Sequence, residues 1–182
     1  MSTIEYIKSD LYRYHGNHKT TSFLKSFFLN RSFIYCFWFR LSKHQNPLIR
    51  NYAKIFLKLK TRKFGIQIPP ETTIGYGLYI GHGMPVIINE TAIIGDNCNL
   101  SQFTTIGSNH GKAATIGNNV YIGPNVCIVE NVTIGDNATI GAGSIVVRDI
   151  PNDSTSVGAP SKVVNYNKPG RYIGNKWPPK NS

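Results

Sequence analysis

Between residues 68 and 146 an aliphatic side chain returns every six positions, a spacing that fits neither an α-helix nor a simple alternating strand. Ile68, Ile74 and Ile80 set the first frame. Ile88, Ile94, Leu100 and Ile106 set a second, two residues out of step, and Ile116, Ile122, Ile128, Ile134, Ile140 and Val146 set a third after a ten-residue step. Glycine follows the aliphatic in most units, and the fourth place is held by Gly77, Gly83, Asn97, Asn119, Asn125, Asn131, Asn137 and Gly143. Glycine and asparagine are the residues that enter positive φ most readily. The fifth place is small or apolar: Leu78, Met84, Cys98, Val120, Val126, Val132, Ala138 and Ser144. Each unit therefore reads as a short strand with one inward aliphatic, followed by a tight corner. Three units complete a triangular coil, and coils stack at a strand spacing of about 4.8 Å. A glycine-rich β-sandwich has no reason to keep such a frame.

Charge divides the chain. Residues 1–63 carry 13 Lys/Arg against 2 Asp/Glu, residues 64–161 carry 2 against 7, and residues 162–182 carry 5 against none. This suggests a basic helical region at 1–63, a solenoid at 64–161 and an irregular basic tail at 162–182. No secretory signal and no run of eighteen uncharged apolar residues is seen, so a cytoplasmic protein is expected. Cys36, Cys98 and Cys127 form no CxxC pair, which argues against a disulfide framework or a zinc knot. Residues 4–14 and 47–60 read as helical, the second with Pro47 at its start. Between them, SFLKSFFLNRSFIYCFWFRL (22–41) is rich in aromatics with interspersed Lys25, Arg31 and Arg40. It suits a helical cap on the solenoid or on another subunit, or a surface-lying contact with the inner face of the cytoplasmic membrane. No reader motif supports a nucleic-acid surface.

IGHGMPVIINETAIIGDN, TTIGSN, ATIGNNVYIGPNV and TIGAGSIVVRDIPNDSTSVGAPSKVV resemble the hexapeptide-repeat acyltransferases over about residues 64–166. The resemblance is to the serine acetyltransferase branch, and within it to the smaller relatives that O-acetylate sugars of capsular, O-antigen or exopolysaccharide pathways. It implies a left-handed parallel β-helix following the helical region, assembled as a homotrimer or a dimer of trimers. It also implies acetyl-CoA as co-substrate, no metal, and a saccharide or lipid-linked glycan acceptor.

His82 is the chemical candidate. It stands between Gly81 and Gly83, where a large polar side chain can leave the coil. By itself a turn histidine is usually a solvent-facing residue, but the resemblance makes it the general base that takes a proton from an attacking hydroxyl. No covalent acyl-enzyme is required: Cys98 falls at an apolar fifth place, and Cys127 has no base nearby in sequence. Serine-specific members carry an aspartate that pairs with this histidine and another just before it. Gln67 and Gly81 stand there, and Gln67 can only orient an imidazole. An Arg-His pair in a later loop is matched by Lys112 and Ala113 in SNHGKAATIG, with His110 slightly earlier. Losing two acids and altering the basic pair suggests a more neutral site, suited to a sugar hydroxyl rather than to a zwitterion. Asn109, His110 and Lys112 are candidate acceptor contacts in what is otherwise an ordinary turn. The family comparison points to Gly123, Ala142 and Gly143 for CoA, with Lys162 placed to meet a CoA phosphate. The alternatives are a serine O-acetyltransferase and a non-catalytic β-helical scaffold. His15 and His18 read as solvated, without a third metal ligand.

Overall fold

The computed structural model describes residues 2–178. Four helices come first: α1 (Thr3–His15), α2 (Thr20–Leu29), α3 (Arg31–Leu41) and α4 (Pro47–Phe64). A parallel β-solenoid follows, so the expected fold class holds. Its first coil is β1 (Ile66–Gln67), β2 (Thr73–Ile74) and β3 (Tyr79–Ile80), and its second is β4 (Val86–Ile88), β5 (Ile93–Ile94) and β6 (Asn99–Leu100). The third is β7 (Thr105–Gly107), β8 (Thr115–Ile116) and β9 (Tyr121–Ile122), and the fourth is β10 (Cys127–Val129), β11 (Thr133–Ile134) and β12 (Thr139–Ile140). β13 (Ile145–Val146), β14 (Thr155–Val157) and β15 (Lys162–Asn165) close the stack. The three faces run β1-β4-β7-β10-β13, β2-β5-β8-β11 and β3-β6-β9-β12-β14-β15, with only β14 and β15 antiparallel among these pairs.

The six-residue frame predicts this core. All thirteen frame aliphatics are buried, and Ile88 stacks on Ile106, which stacks on Ile128, straight through the ten-residue break in the frame. Seven of the eight expected corners have positive φ, among them Asn97 at 57°, Asn119 at 56° and Asn137 at 58°. Asn131 is the exception: Glu130, one place earlier, takes the left-handed turn at φ 58°.

The helices cap the first coil. α4 starts as its sequence suggests, with Asn46 accepting from the Leu48 and Ile49 amides and Pro47 in the first turn. The aromatic segment is two helices broken at Asn30, whose side chain caps α3 by accepting from Phe33. Phe33, Tyr35 and Phe39 are fully buried, Phe37 packs edge-on against Phe23 and Phe27, and Trp38 stacks on Phe56 at 4.5 Å. Packing against protein is what these rings serve, which corrects the expected membrane-surface contact. No helix among the described residues is long and apolar enough to cross a membrane.

Polar clamps join cap to coil. Arg40 forks onto the buried Asp10 carboxylate at 2.8 and 2.9 Å, and donates to the carbonyls of Ile74 and Gly75. Asp10 also accepts from the Leu78 amide at 2.8 Å. Arg13 reaches the Gly77 carbonyl and Asn99. After β15 the chain doubles back along the prism: Gly170 donates to Asn137, Asn99 to the Tyr172 carbonyl, and Trp177 to Asn97.

Candidate active site

The turn between β3 and β4 holds His82. Ile80 and Ile88 are eight residues apart instead of six, and the two extra residues move the chain off its frame. Val86 takes the inward place, while Met84, at the apolar fifth place, is 38% exposed. His82 and Gly83 both have φ 59°, two left-handed residues in succession, and the imidazole is turned outward into solvent. A Cβ on Gly83 would lie 2.7 Å from the Arg31 Cβ, so glycine is what allows α3 to begin directly against this turn.

Tyr14 supports the same turn from α1. Its hydroxyl accepts from the Ile80 amide at 3.1 Å and returns its proton toward the Ile80 carbonyl at 3.4 Å. β3 is an edge strand, so Tyr14 stands where the next strand would pair, two residues before His82. Burial pushes the Tyr14 phenol well above its usual range, which keeps it a donor.

A cavity of about 430 Å³ opens on His82, walled by Tyr14, His15, Lys25, Arg31, Ser32 and neighbouring residues of the cap. His15 is not simply solvated: its Nε2 lies 2.6 Å from the Ser26 hydroxyl. The sequence offers little to place these helical residues beside a histidine more than fifty positions away. Only the cations interspersed through the aromatic segment hinted at a role beyond packing.

The other candidates fall into two further places. Gln67 is exposed on β1 and lines a separate groove of about 350 Å³ with Ile87, Asn89, Thr105 and Asn109. It shares neither a cavity nor, among the described residues, a hydrogen bond with His82. His110 and Lys112 are exposed on the loop that follows Asn109. Glu130, which the repeat does not single out, ties that loop down. It accepts from the Ser108 hydroxyl at 2.8 Å and from the Asn109 amide at 3.3 Å. Those hydrogen bonds hold its carboxyl below the usual range. The tie is therefore complete above the free carboxylate's pKa and is released as pH falls through the depressed value. In an NMR titration the Asn109 amide should shift with Glu130, and Glu130→Gln should remove that step; an Asn109 signal that ignores Glu130 would contradict the tie.

Gly123, Ala142 and Gly143 follow β9 and β12 on the edge where His82 follows β3, and Lys162 opens β15, paired with Val157 at the end of β14. The Gly143 amide donates to the Pro124 carbonyl, next to Gly123, and the Ser161 amide, next to Lys162, donates to the Ile145 carbonyl. Ala142 and Gly143 are exposed, and a Cβ on Gly143 would meet nothing within 4 Å. Gly123 is buried, and its amide is committed to the Ile140 carbonyl. From His82 to Ala142 is three coils, about 14 Å. Cys98 is fully buried, and burial pushes its thiol up to about 12, which removes it as a nucleophile. Among the described residues no three His, Cys, Asp or Glu side chains are grouped to hold a metal ion.

Residues 113–148 match the bacterial transferase hexapeptide family (six repeats). The chain is 43% identical over 128 residues to the serine acetyltransferase of Synechococcus elongatus, covering 68% of this chain and 51% of that protein. It is 36% identical over 154 residues to that of Staphylococcus xylosus, covering 81% of this chain and 70% of that one. It thus spans about half the length of the first relative and over two thirds of the second. The structure of soybean serine acetyltransferase complexed with serine superposes with a TM-score of 0.76 at 29% identity, covering 90% of this chain and 70% of that one. These matches correct the expected capsular or exopolysaccharide branch, and with it the saccharide or lipid-linked glycan acceptor. The physical reason lies in the cap. Neutral residues at 67 and 81 imply a neutral site only while the helices are left out, whereas the cavity at His82 is walled by Lys25 and Arg31. An acyltransferase is what both fold and relatives support, and at 36% identity over most of both chains this protein belongs to the serine acetyltransferase family.

Proposed function

We propose that the chain transfers the acetyl group of acetyl-CoA to the side-chain hydroxyl of L-serine, with His82 as general base. The observation that carries this is the placement of His82, lifted out of the coil by a two-residue insertion into a cavity walled by cations of the cap. That cavity suits a small carboxylate-bearing alcohol better than a neutral sugar.

The step balances without a covalent intermediate. The serine hydroxyl oxygen attacks the thioester carbon as an imidazole nitrogen of His82 removes its proton. The tetrahedral oxyanion collapses, the C–S bond breaks, and the same proton passes to the departing thiolate to give CoA and O-acetyl-L-serine. The thioester supplies its own electrophile, so the protein's task is positioning and proton transfer. The residues of the shared corner fit the donor. Ala142 and Gly143 present an open surface about three coils from His82, and Lys162 adds a positive charge for a phosphate. In this reading the acceptor cavity does not use Gln67 or the Asn109 loop of the same chain, which line the separate groove or lie beside it.

Acceptor preference tests the proposal. CoA release from acetyl-CoA, followed with L-serine and with neutral monosaccharides in parallel, should accelerate with L-serine alone. Acceleration by a monosaccharide with none by L-serine would overturn it.

A further inference from the structure

We infer that Lys25 and Arg31 hold the carboxylate of the acceptor beside His82 while no acidic side chain walls that cavity to pair with its amino group, so that hydroxy acids lacking an amine are acceptors too. The inference rests on the serine reading and extends it to a class of substrate.

The cavity at His82 has cations and no acid. Lys25 comes from α2, Arg31 from the first residue of α3, and no aspartate or glutamate is among the residues that wall it. Both cations are exposed and free of carboxylate partners: among the described residues the ion pairs are Arg40 with Asp10 and Lys54 with Glu71. The Arg31 guanidinium lies over the Phe64 ring, 6.0 Å from its centroid, a contact that leaves its N–H donors available. Its backbone is fixed next to the base, since the Arg31 Cβ occupies the space that a side chain on Gly83 would need. An arginine and a lysine at the wall of one cavity are the usual means of holding a carboxylate.

An ammonium group is treated oppositely. It calls for a carboxylate, and none walls the cavity. The Tyr14 hydroxyl is committed to both backbone groups of Ile80, and the Ser26 hydroxyl is hydrogen-bonded to His15. Lys25 and Arg31 repel it besides. The cavity therefore binds the half of serine that a 3-hydroxy acid also has. The chemistry is the same for either acceptor. A primary hydroxyl oxygen bonds to the acetyl carbon, the C–S bond breaks, and the hydroxyl proton passes through His82 to the thiolate.

Steady-state kinetics on the full chain tests this with L-serine, 3-hydroxypropanoate and L-serinamide. The expected result is that 3-hydroxypropanoate keeps kcat/KM within about tenfold of L-serine, and that L-serinamide loses about 10–100-fold, the worth of a charged hydrogen-bonded pair. Lys25→Gln and Arg31→Gln should each raise KM for L-serine by about tenfold or more with kcat and KM for acetyl-CoA little changed. Both positions are exposed, so the thermal midpoint should stay with the wild type. A rise confined to KM for acetyl-CoA would assign the two cations to CoA phosphates and overturn the inference. So would L-serine turnover with 3-hydroxypropanoate inert, or variants indistinguishable from wild type. Inert L-serine with active 3-hydroxypropanoate would instead remove the serine reading and leave the carboxylate pocket standing, and inertness with both would overturn the two together.

Discussion

Asp10→Ala should cost about 3–5 kcal/mol of folding stability, because it leaves the Arg40 guanidinium without its counter-charge inside the protein. Arg40 is 3% exposed and Asp10 fully buried, so water cannot take the carboxylate's place. Two parallel hydrogen bonds, at 2.8 and 2.9 Å, are lost, together with the one Asp10 accepts from Leu78. Against a typical total of about 5–15 kcal/mol, this is a large share. Urea unfolding followed by circular dichroism measures it. Replacing both partners, as Asp10→Leu with Arg40→Met, should recover part of the loss, since the burial of an unpaired charge is removed with it. A single variant that loses less than about 1 kcal/mol would show that the pair is no more than a surface bridge. The clamp matters to the site because α1 and α3, which it ties to the first coil, supply Tyr14 and Arg31 to the His82 cavity.

His82→Asn should lower kcat for acetyl transfer by about 10²–10⁴-fold, the usual worth of a positioned general base. Asparagine is the informative replacement here, because His82 sits at φ 59° and asparagine accepts that conformation far more readily than alanine. The amide cannot take the hydroxyl proton at neutral pH, so the alcohol must attack without assistance. The side chain is exposed, and stability should scarcely change. Loss of activity with an unaltered unfolding midpoint therefore isolates the base. Less than a tenfold loss in kcat would place the proton acceptor elsewhere.

Much of the coil was legible because its period is enforced twice, by an inward aliphatic and by a corner residue that must tolerate positive φ. Ile88 over Ile106 over Ile128 follows from counting alone. The two frame breaks were legible as well, and they are where the polar candidates stand: His82 in the first, and Asn109, His110 and Lys112 in the second. What surrounds His82 was not. Tyr14, Lys25 and Arg31 lie far away in sequence and carry no period that ties them to a turn of the solenoid. Charge at positions 67, 81, 112 and 113 alone therefore pointed to a neutral site and the wrong acceptor. Glu130 escaped for a related reason: Asn131 is the better corner residue by type, yet the left-handed turn falls one place earlier, where the carboxylate meets Ser108 and Asn109. The aromatic run was ambiguous by composition, because buried rings and interfacial rings look alike until Phe33, Tyr35 and Phe39 are found packed against protein.

The most direct measurement is the amount of O-acetyl-L-serine formed per CoA released when the purified chain meets acetyl-CoA and L-serine, with His82→Asn beside it. The account predicts one acetylserine for each CoA from the wild type, confirmed by mass, and formation slowed at least a hundredfold in the variant. CoA release that L-serine does not accelerate, or equal product from His82→Asn, would contradict it.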